Sequence, residues 1–305
     1  MNNRATLGGW RSPEAAPQRG GPGMVAKVSA ARRPRAGYGW LLLPALLLLL
    51  AFFALPLGTM IVYSLGRSAV GQIYIPDLTL DNYGALFATP VYFNVMVRTL
   101  KLGLIVTVLA LILGYPFAYL MARGQPWLRS ALLIAVLLPL LVSVVVRTYG
   151  WIVLLGLDGP VNGLLLALGL VSQPMKFVFN ETGIIIGMLH VYLPFMVLPL
   201  SSVLQKLDPQ LEEAARTLGA GTFTVFRRVI LPLSVPGIAA GSMLVFTLSA
   251  AAFVTPALMG GAGLNVMGPL GAAVAVMLVL VTLVVVTAYN RFLEARSGIY
   301  RRIET

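Results

Sequence analysis

QKLDPQLEEAARTLGAGTFTVFRRVILP, residues 205–232, lies between two long apolar runs, Thr182 to Leu204 and Val235 to Met259. Asp208 is a good helix N-cap, and Pro209 suits the first helical position, where no N–H is needed. Glu212 and Glu213 follow in the first turn, where the helix dipole favours acids. Leu211, Ala214, Ala215 and Leu218 recur at helical spacing and form an apolar stripe. Gly219 stands where a left-handed C-terminal residue is expected. Thr222 is placed to cap a second short helix, Phe223 to Ile230, before Pro232 and Pro236 lead into the next apolar run. The stretch predicts two short helices meeting at a glycine turn, bearing Glu213, Arg216, Arg227 and Arg228.

The flanks decide what kind of fold carries this hairpin. Of 305 residues, 58% are hydrophobic and only 10% charged, against about 25% charged in average soluble chains. Mean hydropathy is +0.89. So few charges cannot cover the surface of a soluble fold of this length, which excludes an ordinary cytosolic enzyme. A hydrocarbon core of about 30 Å needs about 20 apolar residues in a helix. Six runs meet that need: about 40–65, 102–122, 132–157, 182–204, 235–259 and 270–289. The third carries Arg147 and the fourth His190. None alternates with a period of two, so a β-barrel is not expected, and backbone pairing inside lipid then requires helices. The expected fold class is all-α: a polytopic membrane protein with six transmembrane helices over residues 38–293. It is flanked by a disordered basic tail, 1–37, and a short tail, 294–305. Met24 is a second candidate start, since Lys27 through Arg35 supply the same charges.

Lys and Arg set the expected direction. With the N-terminus inside, segments 1–37, 122–130, 205–234 and 290–305 carry 17 of the 22 basic residues. Both termini and the 205–234 hairpin are then expected in the cytoplasm. The net charge of +12 becomes a topology signal, and no nucleic-acid partner is expected. Cysteine is absent and histidine single, which removes disulfides, thiolate metal sites and His clusters. No Gly-Lys-Ser/Thr phosphate loop is present. The chain is not expected to be an enzyme or to bind a cofactor.

Glu213-Ala214-Ala215, three residues, Gly219, nine residues, Val229, one residue and Leu231-Pro232 resemble the EAA signature of ABC-importer permeases; Val229 replaces the usual Ile. The resemblance extends from about Trp40 to Arg291. It includes Leu80-Asp81-Asn82-Tyr83, Gly114-Tyr115-Pro116-Phe117-Ala118-Tyr119, Val146-Arg147-Thr148-Tyr149-Gly150-Trp151 and Gly159-Pro160-Val161-Asn162. Leu193-Pro194-Phe195-Met196-Val197-Leu198-Pro199-Leu200 and Phe253-Val254-Thr255-Pro256-Ala257-Leu258 belong to it too. The subfamily is the first-permease type of spermidine/putrescine importers, in the bacterial inner membrane. The resemblance implies a type I ABC importer permease of MetI-like fold. It implies a cytoplasmic ABC ATPase dimer that holds ATP–Mg, a second permease, and a periplasmic or lipid-anchored substrate-binding protein. The ATPase-coupling residues it implies are Glu213, Ala214, Ala215, Arg216, Gly219, Leu231 and Pro232. The chain departs from the family in having only Gly260 to Pro269 between the last two runs, which shortens the outer gate.

Other residues carry weaker readings. Tyr149, Trp151, Asp158, Glu181 and Tyr192 are candidate pathway or outer-face contacts, because acids with aromatic walls suit a polycation. Arg147 is expected to snorkel to the near interface or to pair within the fold. His190 is expected to pack. Gly237, Ala239, Ala240 and Gly241 allow close helix packing and mark an expected permease–permease interface. A stand-alone secondary transporter would need ionisable groups at the membrane midplane, and the chain offers almost none. A non-transporting scaffold is the other alternative.

Overall fold

The computed structural model describes residues 43–69, 72–252 and 268–301. The expectations for residues 1–37, for the Phe253–Leu258 motif and for residues 260–267 of the short segment lie outside the described residues. The chain divides into two units, Met1–Ala51 and Phe52–Thr305. In the first, residues 43–51 are helical; everything below concerns the second unit, apart from the helix α1 that begins at Leu43.

In chain order the helices are α1 (Leu43–Ser64), α2 (Asp81–Ala88), α3 (Pro90–Arg123), α4 (Pro126–Leu141), α5 (Val144–Leu154), α6 (Pro160–Ala167) and α7 (Glu181–Lys206). Then come α8 (Gln210–Thr217), α9 (Thr222–Leu233), α10 (Val235–Ala250) and α11 (Pro269–Arg301). One small hairpin interrupts the all-α pattern: β1 (Arg67–Ala69) pairs antiparallel with β2 (Gln72–Ile75), Arg67 opposite Ile75. The ends follow the residues. Asn180 Oδ1 accepts the Gly183 N–H at 3.0 Å, Glu181 lies in the first turn of α7 and Lys206 in its last, which matches the helix dipole.

Among the described residues four helices are long and apolar enough to cross a membrane, and the number rises to six if each of two bent pairs counts as one span. The first bent pair corrects the expected third span. The run 132–157 is not one helix: α4 and α5 meet at 102°. Pro139 lacks the N–H that would continue the α4 ladder, and Val142 and Ser143 turn extended, with ψ of 136° and 137°. α10 opens at Val235, where the fifth span was expected to begin, and meets α9 at 66°. The helix that carries the expected second span is longer than that span, since α3 opens at Pro90. The last helix outruns Tyr289 and reaches Arg301.

The core is the packing of α3, α7 and α10. Val106, Ala110, Met188, Met196 and Val245 are buried together, and Tyr115, Ala118, Met121, Val197, Leu200 and Leu204 continue the layer toward α8 and α9. Close approach is permitted by missing side chains. A Cβ on Gly237 would sit 3.0 Å from Val203 Cβ and 3.1 Å from Leu200 Cα, and one on Gly241 would sit 2.7 Å from Met196 Sδ. This corrects the expected intersubunit role of the small residues on α10. Gly237, Ala239 and Gly241 are buried, and both glycines pack on α7 of the same chain; Ala240 is exposed.

Two charged layers bracket this bundle. At one end Arg98 and Lys101 of α3 reach Glu181 at 3.0 and 3.1 Å. At the other Arg123 reaches Glu212 at 2.8 Å. Lys101 and Arg123 are 22 positions apart on one helix, about 33 Å at 1.5 Å per residue, close to the thickness of a hydrocarbon core.

Candidate functional site

The hairpin of residues 205–234 is built much as its sequence reads. Asp208 Oδ1 accepts the Gln210 N–H at 2.9 Å and so caps α8. At the other end Gly219 has φ +84°, the Gly219 N–H donates to Arg216 O at 2.9 Å and the Ala220 N–H to Ala215 O at 3.1 Å. Those paired bonds around a left-handed residue form a Schellman turn, which a Cβ would strain. One expectation fails: Thr222 is not the cap of the second helix. Gly221 occupies that place and Thr222 opens α9. Within α9, Phe226–Ile230 is a π-helical turn.

The expected coupling residues split into two groups. Glu213, Ala214, Arg216 and Gly219 are exposed, with Leu218 88% and Phe223 73% exposed beside them. The apolar stripe therefore faces outward through Leu211 and Leu218, and Ala215 alone of its four members packs inward, against the Leu200 and Leu204 layer. Leu231 and Pro232 are half-buried. Leu231 packs into the same layer and holds the hairpin from below.

What fixes the hairpin is a clamp on α3 that the sequence did not announce. Tyr115, Tyr119 and Arg123 stand four residues apart on one face of α3. Tyr115 Oη and Ser234 Oγ share a hydrogen bond of 2.9 Å, and the Tyr115 ring meets Phe226 edge-on at 5.3 Å. Tyr119 Oη donates to Glu212 Oε2 at 3.0 Å, and Arg123 Nε donates to Glu212 Oε1 at 2.8 Å. Arg123 Nη2 also donates to Leu207 O at 3.0 Å. Thus Glu212 points into the fold and its neighbour Glu213 points out. The available signal was the four-residue spacing of Tyr115, Tyr119 and Arg123, which puts three polar groups on one helix face.

The candidate outer contacts are not brought together. Glu181 is occupied by Arg98 and Lys101. Asp158 is exposed in the turn before α6. Tyr149 is 56% exposed. Trp151 Nε1 donates to His190 Nδ1 at 3.0 Å, tying α5 to α7. Tyr192 alone of the five lines a large cavity, of about 770 Å3, at the α4–α5 break, with Ser143, Arg147, Phe195 and Leu248. Arg147 corrects its expectation in part. It does not snorkel: it is 9% exposed, and Nη2 turns back to Val142 O. Other motif residues are structural ties. Asn82 Nδ2 donates to Ser64 O and Gly66 O, and Asn162 Nδ2 donates to Gly156 O and Met175 O. Among the described residues no group of His, Cys, Asp or Glu is placed to hold a metal ion.

A bundle bracketed by two charged layers, with broken apolar helices and an exposed helical hairpin at one end, is the architecture of a multi-pass transport permease. Residues 107–297 match the binding-protein-dependent transport system inner membrane components, and this chain belongs to that family. The spermidine/putrescine transport system permease protein PotB of Haemophilus influenzae is 38% identical over 246 residues, 76% of this chain and 85% of that protein. PotB of Escherichia coli K12 is 42% identical over 184 residues, 60% of this chain and 66% of its own. The inner membrane ABC transporter permease protein YdcU of Escherichia coli K12 is 38% identical over 202 residues, 62% of this chain and 64% of that one. In fold the chain is similar to a chain in the crystal structure of a bacterial ABC transporter involved in the import of the acidic polysaccharide alginate. The TM-score is 0.58 at 22% identity, covering 83% of this chain and 93% of that one.

Proposed function

We propose that this chain is the transmembrane subunit of an ATP-driven importer of polyamines such as spermidine and putrescine. In this reading α8 is the element through which a partner ATPase moves the bundle. The observation that carries the coupling role is the opposed pair Glu212 and Glu213: one carboxylate is clamped to α3 and the next faces outward on a helix with an exposed apolar stripe. A handle must be fixed to what it moves and free toward what grips it, and a capped helix transmits displacement as a nearly rigid body. Leu211, Leu218 and Phe223 supply the apolar grip, Glu213 and Arg216 the polar register, and Gly219 the turn. The basic-residue bias supports an orientation with both termini and the hairpin in the cytoplasm.

The cargo reading rests on the likeness to the PotB relatives. The further parts are an ATPase dimer carrying ATP–Mg, a second permease chain and a periplasmic or lipid-anchored binding protein that delivers the cargo. The test is reconstitution of the complex purified through this chain. The parent should show ATP-dependent accumulation of radiolabelled spermidine, and Glu213→Ala should lower both uptake and stimulated ATP hydrolysis while the chain stays folded. Uptake by Glu213→Ala equal to the parent would remove α8 from the coupling path. Parent vesicles that hydrolyse ATP but exclude spermidine and putrescine would remove the cargo.

A further inference from the structure

The break between α4 and α5 leaves a charge without a counter-charge at membrane depth. Arg147 Nη2 donates to Val142 O, but Nε and Nη1 are buried and meet no hydrogen-bond partner among the described residues. Depth follows from its neighbour in the cavity. Tyr192 stands 11 positions along α7 from Glu181, about 16 Å at 1.5 Å per residue. That is halfway between the two charged layers. A guanidinium placed there, out of water, requires an acceptor.

This chain does not carry one at that level. None of its ten Asp and Glu falls between Asp81 and Asp158, between Glu181 and Asp208, or between Glu213 and Glu294. A second copy would bring the same set, so self-association supplies no counter-charge. The rim of the cavity is apolar and open: Leu141 is 86% exposed and Val144 38%. An apolar face with a cation at its centre suits a protein partner better than lipid.

We propose that this face docks against a different membrane-spanning chain, and that an Asp or Glu carboxylate within one of that chain's spans accepts from the Arg147 nitrogens left unpaired here. The pairing rests on the reading of this chain as one half of a two-chain pathway. It also resolves a conflict in that reading. A bare guanidinium at the break would repel a polycation, whereas a neutralised pair leaves the cavity passable.

The test uses the complex purified from membranes of the native host. Arg147→Lys is treated with dicyclohexylcarbodiimide, which activates carboxylates in apolar surroundings for attack by a nearby amine. The adduct is mapped by mass spectrometry. Arg123→Lys, facing Glu212 in the same chain, is the control. The expected product is an amide joining position 147 to an Asp or Glu in a spanning segment of a co-purified different chain. If the control cross-links and position 147 does not, or if position 147 joins a peptide of this chain, the pairing is wrong. Arg147→Met gives a second reading: recovery of the other spanning chain should fall more than about a hundredfold, the least expected for breaking a buried charge pair, with membrane levels of this chain held. Recovery equal to the parent overturns the proposal. A parent that emerges with no second spanning chain sinks the two-chain reading itself, whereas a parent that brings the chain, with an Arg147→Lys variant that forms no adduct while the control does, sinks only the pairing.

Discussion

The two ends of α3 make the same kind of bond in opposite surroundings. At the hairpin end Arg123 and Glu212 are 19% and 13% exposed, and Tyr119 adds a second donor to the same carboxylate. At the other end Arg98 and Lys101 are 53% and 57% exposed, and Glu181 is 37% exposed. Water screens the second cluster far more than the first, so similar distances mean unequal strength. The hairpin is fixed to its helix, whereas the opposite end is held loosely and is free to yield.

The sharpest way to break this comparison is Glu212→Ala. It leaves Arg123 and Tyr119 facing each other without their acceptor in a place only partly open to water. Stability should fall by about 3 kcal/mol, the low end for removing one member of a buried pair. The readout is thermal unfolding of the purified protein in detergent, and an unchanged midpoint would mean the clamp does not hold the hairpin. Gly237→Val tests the packing beneath it. The new side chain starts 3.1 Å from Leu200 Cα and should cost about 2 kcal/mol by forcing α7 and α10 apart. The same unfolding series checks it. Gly219→Ala should cost about 1 kcal/mol, because a residue with a Cβ resists φ +84°. Its effect should be local, seen as faster hydrogen exchange at residues 210–220 with the bundle unchanged. Glu181→Gln should be the mildest, under about 1 kcal/mol and vanishing at high salt. A larger loss would show that the exposed cluster is as strong as the buried one and would end the contrast.

Much of the architecture is legible in the sequence because lipid demands long apolar runs and because capping residues are specific. Asp208 and Gly219 bound α8 as read, and the apolar runs carry the bundle. The break at Val142–Ser143 was not legible, since the residues on both sides are equally apolar and hydropathy measures composition and not direction. Pro139 is its sole local mark. Glu212 and Glu213 are identical in type and adjacent, so only the phase of α8 against α3 separates the clamp from the exposed acid. The small residues of α10 say that a helix comes close but not which one, and the neighbour is α7 of the same chain. The candidate outer contacts do not converge, for a related reason. Glu181 looked free for a cationic ligand until Arg98 and Lys101, far off in sequence, were brought beside it.

The apolar length of α3 has a consequence for the setting in which the protein works. From Lys101 to Arg123 it measures about 33 Å, with a salt bridge fastened near each end. The helix is therefore a ruler laid against the bilayer. In a thinner membrane it must tilt, and the strain of hydrophobic mismatch falls on whichever fastening gives first. That is the screened Glu181 cluster, so the hairpin should keep its grip on α3 while the far end opens.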